Sequence, residues 1–219
     1  MSCASKVFDH IESIPLGQPF TTRDCLRYGS RGAVDKALFR FVRDNVIVRL
    51  ADGVFMRMDA DTPIPSITDV AKIKSAAFAK EIVEYGATIA HKEALEVEAP
   101  EQPTFYINGS STTFRYVYIG IRIILKSASK KRMRLKETPQ GKIVRALWHL
   151  GKKICTQKIV DQVLERYPIP DIREILALSK AWMPAWLADY FPTPHVFSLE
   201  DAYSRDILYD SNFAPISSA

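Results

Sequence analysis

The chain has 219 residues, 47% of them apolar and 25% charged, with a formal net charge of +5. That composition supports one large core or two to three small ones and excludes a disordered chain. Three cysteines without close spacing exclude a disulfide framework and a zinc site, the most apolar later stretch (116–125) is too short to cross a bilayer, and MSCASKVFDH lacks a signal-peptide pattern, so a cytoplasmic protein with no membrane partner is expected.

Lys6 to Ile14 reads as a first helix, with Val7, Phe8, Ile11 and Ile14 on one side and Pro15-Leu16-Gly17 as its stop. Thr21 and Thr22 suit a helix start, and Asp24 stands where a capping-box partner would. Cys25, Leu26 and Tyr28 give this short helix an apolar side, and Gly29 is expected to end it in the left-handed conformation. Ser30 caps a second helix. There Val34, Leu38 and Phe41 follow i, i+4, i+7, flanked by Ala37 and Val42, while Gly32, Ala33, Lys36, Arg40 and Arg43 fall on the opposite side.

A helix that is apolar behind, small at its N-terminal end and cationic further along suits the major groove of DNA, although taken alone it is equally an ordinary surface helix. Arg31 stands where a bidentate contact to a guanine edge is possible. The runs 46–50 and 54–58 are β-branched and apolar, and Asp52-Gly53 between them is a hairpin signal. Arg49 and Arg57 occupy mirrored places on the two strands, within reach of a phosphate backbone. A winged helix-turn-helix over residues 1–60 is therefore expected, with double-stranded DNA as partner. Its candidate contacts are Thr22, Ser30, Arg31, Ala33, Lys36, Arg40, Arg43, Arg49 and Arg57.

Residues 61–66, acidic and proline-containing, read as a linker. An α+β unit over 67–136 follows. Thr68 caps a helix running to about Tyr85 with Val70, Ile73, Ala77, Ile82 and Val83 as core positions, and Gly86 ends it. Ala87–Ala90 is a strand candidate, Lys92–Glu98 a short helix and Thr104–Ile107 a strand leading into the turn 108–111. A β-rich stretch, 113–126, is hinged near Gly120. From 137 to 191 the pattern is a helical bundle. Its apolar faces are Ile143, Val144, Leu147 and Leu150, then Ile159, Val160, Val163 and Leu164, then Ile172, Ile175, Leu176 and Leu178. A kinked element around Pro184 carries Trp182 and Trp186. Residues 192–219 are expected to be an irregular tail. The fold class is thus α+β.

Basic charge concentrates late. Residues 115–158 carry thirteen Lys and Arg against the single Glu137. Arg115, Arg122, Lys126, Lys130, Lys131, Arg132 and Arg134 form a possible second basic surface for phosphates or an acidic partner. No catalytic constellation assembles. Asn108-Gly109-Ser110-Ser111 resembles the Gly-Ser opening of nucleotidyltransferase sites, but no carboxylate follows before Glu137 to hold magnesium. The four histidines are scattered without metal-ligand spacing. Trp148, Trp182 and Trp186, at helical spacing, suit the bundle core. Neither an enzyme, a cofactor nor a metal is expected.

The run Ser30 to Leu38, followed by Arg40, Arg49-Leu50, Gly53 and Val54-Phe55, resembles the DNA-binding domain of the AbiEi-like antitoxins of type IV toxin–antitoxin (abortive-infection) systems. The likeness continues in Pro63–Ala71, the turn Tyr106–Ser111, a basic strand ending in Arg132-Met133-Arg134-Leu135, and Met183–Asp189, and covers about Lys6 to Phe191. It implies a protein with two functions. The N-terminal domain would repress its own operon by binding the operator, and the rest would counter a cognate nucleotidyltransferase toxin, directly or functionally. By position it implies Ser30, Arg31, Ala33, Lys36 and Arg40 on the recognition helix and Arg49 and Gly53 in the wing. Where the family often has a basic residue before that glycine, this chain has Asp52, which shifts weight to Arg49 and Arg57. The alternative is a stand-alone DNA-binding regulator whose second domain senses a ligand or oligomerises. The spacings leave the oligomeric state open.

Overall fold

The computed structural model describes residues 1–95 and 97–192, so the expected tail lies outside the described residues from position 193 onward. In chain order the elements are α1 (Cys3–Ser13), β1 (Pro19–Thr21), α2 (Thr22–Cys25), α3 (Arg31–Arg43), β2 (Val48–Ala51), β3 (Val54–Met56), α4 (Ile67–Ala76), β4 (Ile82–Glu84) and α5 (Gly86–Lys92). There follow β5 (Thr104–Ile107), β6 (Thr112–Tyr116), β7 (Ile121–Ser127), α6 (Lys130–Arg134), α7 (Pro139–Leu150), α8 (Gln157–Glu165), α9 (Ile172–Leu178) and α10 (Ala185–Ala188). The architecture mixes α and β. Its described residues divide into two compact units, one of residues 1–82 and 101–127, the other of residues 83–100 and 128–192. No helix among the described residues is long and apolar enough to cross a membrane.

In the first unit α1 starts at Ser2, whose Oγ accepts from the Ser5 N–H at 3.1 Å, and buries Val7 and Ile11. The capping box of α2 forms as its sequence predicts: the Thr21 N–H donates to Asp24 Oδ2 at 2.8 Å. The residues before it are a strand that periodicity did not reveal, since three residues are too few to show alternation. This strand, β1, pairs antiparallel with β3, Pro19 opposite Met56 and Thr21 opposite Val54. Gly29 is not left-handed as expected. Its φ of 172° is extended backbone, and its small size matters for another reason. A Cβ there would lie 2.5 Å from Cys3 Sγ, so α1 and the turn before α3 approach across a missing side chain.

Ser30 caps α3, its Oγ accepting from the Ala33 N–H at 3.4 Å, and Val34, Ala37 and Leu38 are buried. The β2–β3 turn takes its positive φ, 75°, at Gly53, with a bulge between Arg49 and Ala51. Because side chains alternate across a strand, the hairpin serves two cores. Phe55 joins Val7, Ile11, Phe20, Val34 and Leu38 on one side. Val54, Met56, Leu50 and Ala51 join Val70, Phe114, Tyr116, Ile123 and Leu125 on the other. Within the first unit the strand order is β1-β3-β2-β6-β7-β5, with β5 parallel to β7. Thus β2 has a partner on each edge, β3 and, through Ala51 opposite Tyr116, β6.

The stretch from 67 to 98 departs from its sequence reading. Ser66, not Thr68, caps α4, accepting from the Asp69 N–H at 3.1 Å. The helix ends at Ala76, because Ala79 adopts a left-handed φ of 54° and the Lys80 N–H turns back to the Ser75 carbonyl. No Gly or Pro marks this end, and the β-branched pair Ile82-Val83 passes into β4 instead of prolonging the helix. Gly86 opens α5 where it was expected to close a helix, and Ala87–Ala90 is helical, not a strand. The helix then stops at Lys92, where a short helix was expected to begin, and Ala94 just beyond it takes a left-handed φ of 51°.

The second unit is built on α5 against α7. A Cβ on Gly86 would fall 2.5 Å from the Arg145 carbonyl oxygen, so only glycine permits this approach. Thr138 caps α7 with Pro139 in its first turn, and Ile143, Val144, Leu147 and Leu150 are buried as expected. Val160, Val163, Leu164, Ile172, Leu176 and Leu187 complete this core. Arg145, 1% exposed, donates to the Lys136 carbonyl and, at 3.3 Å, to Glu137 Oε1. The run Arg132-Met133-Arg134, which the resemblance placed at the end of a basic strand, lies instead on α6, a helix capped by Ser129 and rich in good helix formers.

Candidate nucleic-acid interface

The exposed side of α3 follows directly from its periodicity. Gly32, Lys36, Phe39 and Arg43 recur at i, i+4, i+7 and i+11, which places them on one stripe opposite Val34, Ala37 and Leu38. Arg31 is 67% exposed and its Nε donates to Asp35 Oδ2 at 2.8 Å. Arg43 pairs with Asp44 at 2.9 Å, and that carboxylate raises its pKa. Lys36 and Arg40 are exposed and form no ion pair with a carboxylate of the described residues. Ser30 and Ala33 are used at the helix start, one as acceptor and the other as donor.

On the hairpin, Arg49 donates to Asp52 Oδ1 at 2.6 Å and is exposed. Such exposed pairs are weak, so a phosphate can take over Arg31, Arg43 or Arg49 at little loss. On α3 and the hairpin tip, the five cations Arg31, Lys36, Arg40, Arg43 and Arg49 face the three carboxylates Asp35, Asp44 and Asp52, a surplus of two positive charges. Thr22 is buried, and its N–H donates to the Gly53 carbonyl at 3.0 Å, so it fastens the hairpin turn to α2.

Arg57 does not stand beside Arg49 as its mirrored position suggested. It lies past the end of β3, is 23% exposed, and its Nη1 donates to the carbonyls of Ile11 (3.3 Å), Glu12 (2.9 Å) and Ile14 (3.1 Å). Those carbonyls close α1, where a helix terminus leaves acceptors without intrahelical donors. Its guanidinium is spent inside the protein.

The second basic set is divided between the units. Arg115 and Arg122 face each other across β6 and β7 in the first unit, and Lys126 follows two pleats along the same face of β7. Lys130, Lys131, Arg132 and Arg134 stand on α6 in the second. There Arg132 Cζ lies 4.3 Å from the Trp148 ring centre and Arg134 Cζ 5.0 Å from that of Trp182. The tryptophans are thus half in the core and half beneath stacked guanidinium groups.

Sequence reasoning missed Phe39, whose place between Lys36 and Arg43 was readable from the helical wheel. It also missed two long contacts with no local signal: Arg23 donates to the Ala77 carbonyl and Lys74 to the Asp52 carbonyl, both at 2.5 Å. No group of His, Cys, Asp and Glu side chains among the described residues is arranged to hold a metal. The model of a family of unknown function, DUF6088, matches residues 6–171. No curated protein matches the chain.

Proposed function

This chain belongs to the DUF6088 family of unknown function, and we propose that it is a DNA-binding antitoxin that represses its own operon through an N-terminal winged helix-turn-helix. The element order α1, β1, α2, α3, β2, β3 and the strand order β1-β3-β2 support that fold reading. The observation that carries the function is the exposed side of α3, which presents Arg31, Lys36, Arg40 and Arg43 while Val34, Ala37 and Leu38 are buried behind it. In this reading α3 lies in the major groove. Arg31 exchanges Asp35 for a base edge, while Lys36, Arg40, Arg43 and Arg49 hold phosphates. The antitoxin role rests on the resemblance of the chain to AbiEi-like proteins. It assigns the second unit to countering a nucleotidyltransferase toxin.

Mobility shifts of the full chain on the duplex upstream of its gene test the DNA reading. The expected complex weakens with salt, at a slope of about −0.9 per phosphate contact. Lys36→Ala with Arg40→Ala removes about two of those contacts on any duplex. Arg31→Ala loses about 1–3 kcal/mol on the operator and less on random sequence. A probe left unshifted at low salt ends this reading. Expression of the adjacent gene with and without this chain tests the antitoxin role, which fails if the neighbour is harmless alone.

A further inference from the structure

Between α3, the β2–β3 turn and the C-terminal end of α4, the first unit encloses a groove of about 720 Å³. Sites for small organic molecules span roughly 300–1,000 Å³. Leu38 and Val42 of α3 and Val54 of β3 give it an apolar lining. Two aromatic rings also line it and remain largely open to solvent, Phe39 at 68% and Phe78 at 65% exposure.

Four cations also line the groove, Arg23, Arg31, Arg49 and Lys74, against two carboxylates, Asp35 and Asp52. Arg31 and Arg49 are the partners of those carboxylates. Arg23 and Lys74 donate to main-chain carbonyls, which carry no full charge. An apolar groove thus holds a surplus of two positive charges. Lys74 is half-buried, and desolvation lowers its pKa, with Asp52 raising it and Arg49 lowering it in turn. An anion beside that ammonium restores the solvation it has lost.

We propose that this groove binds an organic anion: an apolar, preferably aromatic body bearing a carboxylate, sulfonate or phosphate. The body lies between Phe39 and Phe78, and the acidic group meets Arg23 and Lys74. Because Arg31 and Arg49 border the groove and belong to the proposed DNA contacts, occupancy releases duplex DNA. This last step rests on the DNA reading above.

Titration of the full chain with anilinonaphthalene sulfonate, followed by dye fluorescence, tests the site. Saturable binding is expected, about tenfold tighter than for the uncharged analogue N-phenylnaphthylamine, since a charge-assisted contact is lost in the latter. Phe39→Asp with Phe78→Asp is expected to weaken dye binding at least about tenfold by removing both apolar walls. Both rings are largely exposed, so their replacement spares the cores, and Phe39→Ala with Phe78→Ala gives an uncharged control whose melting is compared with that of the parent. Equal dye binding by the parent and both double variants overturns the site. Equal affinity for the charged and neutral dyes overturns its anionic preference. Release of a labelled duplex at the dye concentrations that fill the groove supports the coupling, and retention of the duplex at saturating dye overturns it. Failure to bind duplex without dye overturns the DNA reading alone, because the fluorescence titration judges the groove independently.

Discussion

Asp35 stands among cations on the proposed DNA-facing side of α3, one turn from Arg31. Near a phosphate backbone it repels, and it also occupies the guanidinium that would reach a base. Asp35→Asn is therefore expected to tighten duplex binding by about two- to fivefold, the scale of one exposed charge interaction. Fluorescence anisotropy with operator and random duplexes checks this. Weaker operator binding by the variant would instead show Asp35 accepting from a cytosine amine. At this scale the sequence was legible where a cap or helical periodicity applies, as the first does for Ser30 and the second for Lys36 and Arg40. It was silent where a side chain's partner is remote in the chain: nothing around Arg57 announces that its guanidinium meets residues 11 to 14.

That contact ties one element to another. Arg57 carries three carbonyls at the C-terminus of α1, and a leucine there leaves them to water or unsatisfied. Arg57→Leu is expected to lower stability by about 2 kcal/mol, a charge-assisted bond being worth about 1.5–3 kcal/mol, while leaving duplex affinity per folded molecule unchanged. Urea denaturation and anisotropy on the same preparation separate the two, and lost affinity at unchanged stability would return Arg57 to the DNA surface. The helices with a regular apolar stripe, α3, α7 and α8, were readable in place, and so was the capping box that opens α2. The misreadings fall on α4, α5 and α6, and their causes are physical. An alanine in the left-handed region ends α4 without a glycine signal. A short apolar run such as Ala87–Ala90 fits strand and helix equally until α7 packs on it. A run of basic residues suits a helix once Ser129 caps it and two indoles receive its arginines.

Across the molecule, packing of the N-terminal elements continues past the composition change after Met58, through residue 127. Leu50, Val54 and Met56 share their core with Phe114, Tyr116, Ile123 and Leu125. Burial of each such side chain is worth about 1.5–3 kcal/mol, so a fragment of residues 1–60 loses most of what holds its hairpin. That fragment is expected to show no cooperative thermal transition by circular dichroism, whereas the full chain does. A sharp, reversible transition in the fragment would mean that its smaller core, around Val34 and Phe55, suffices. The exposed face of α3 was legible because it is local. The groove beside it was not, since it needs α4 and the hairpin turn brought together over some twenty residues, as Lys74 and Asp52 are.

The interleaving of the two units also sets a schedule during synthesis. Strands β6 and β7 are made long after α3, yet β2 pairs with β6 and shares its core with both. At roughly 5–20 residues per second, a ribosome needs roughly 6–25 s to reach residue 127. Until then the nascent hairpin carries a strand edge without its neighbour, a template for wrong pairing with other chains. Slow translation through residues 83–100, which belong to the second unit, lengthens that exposure. The first unit is completed late although its first residues are made early.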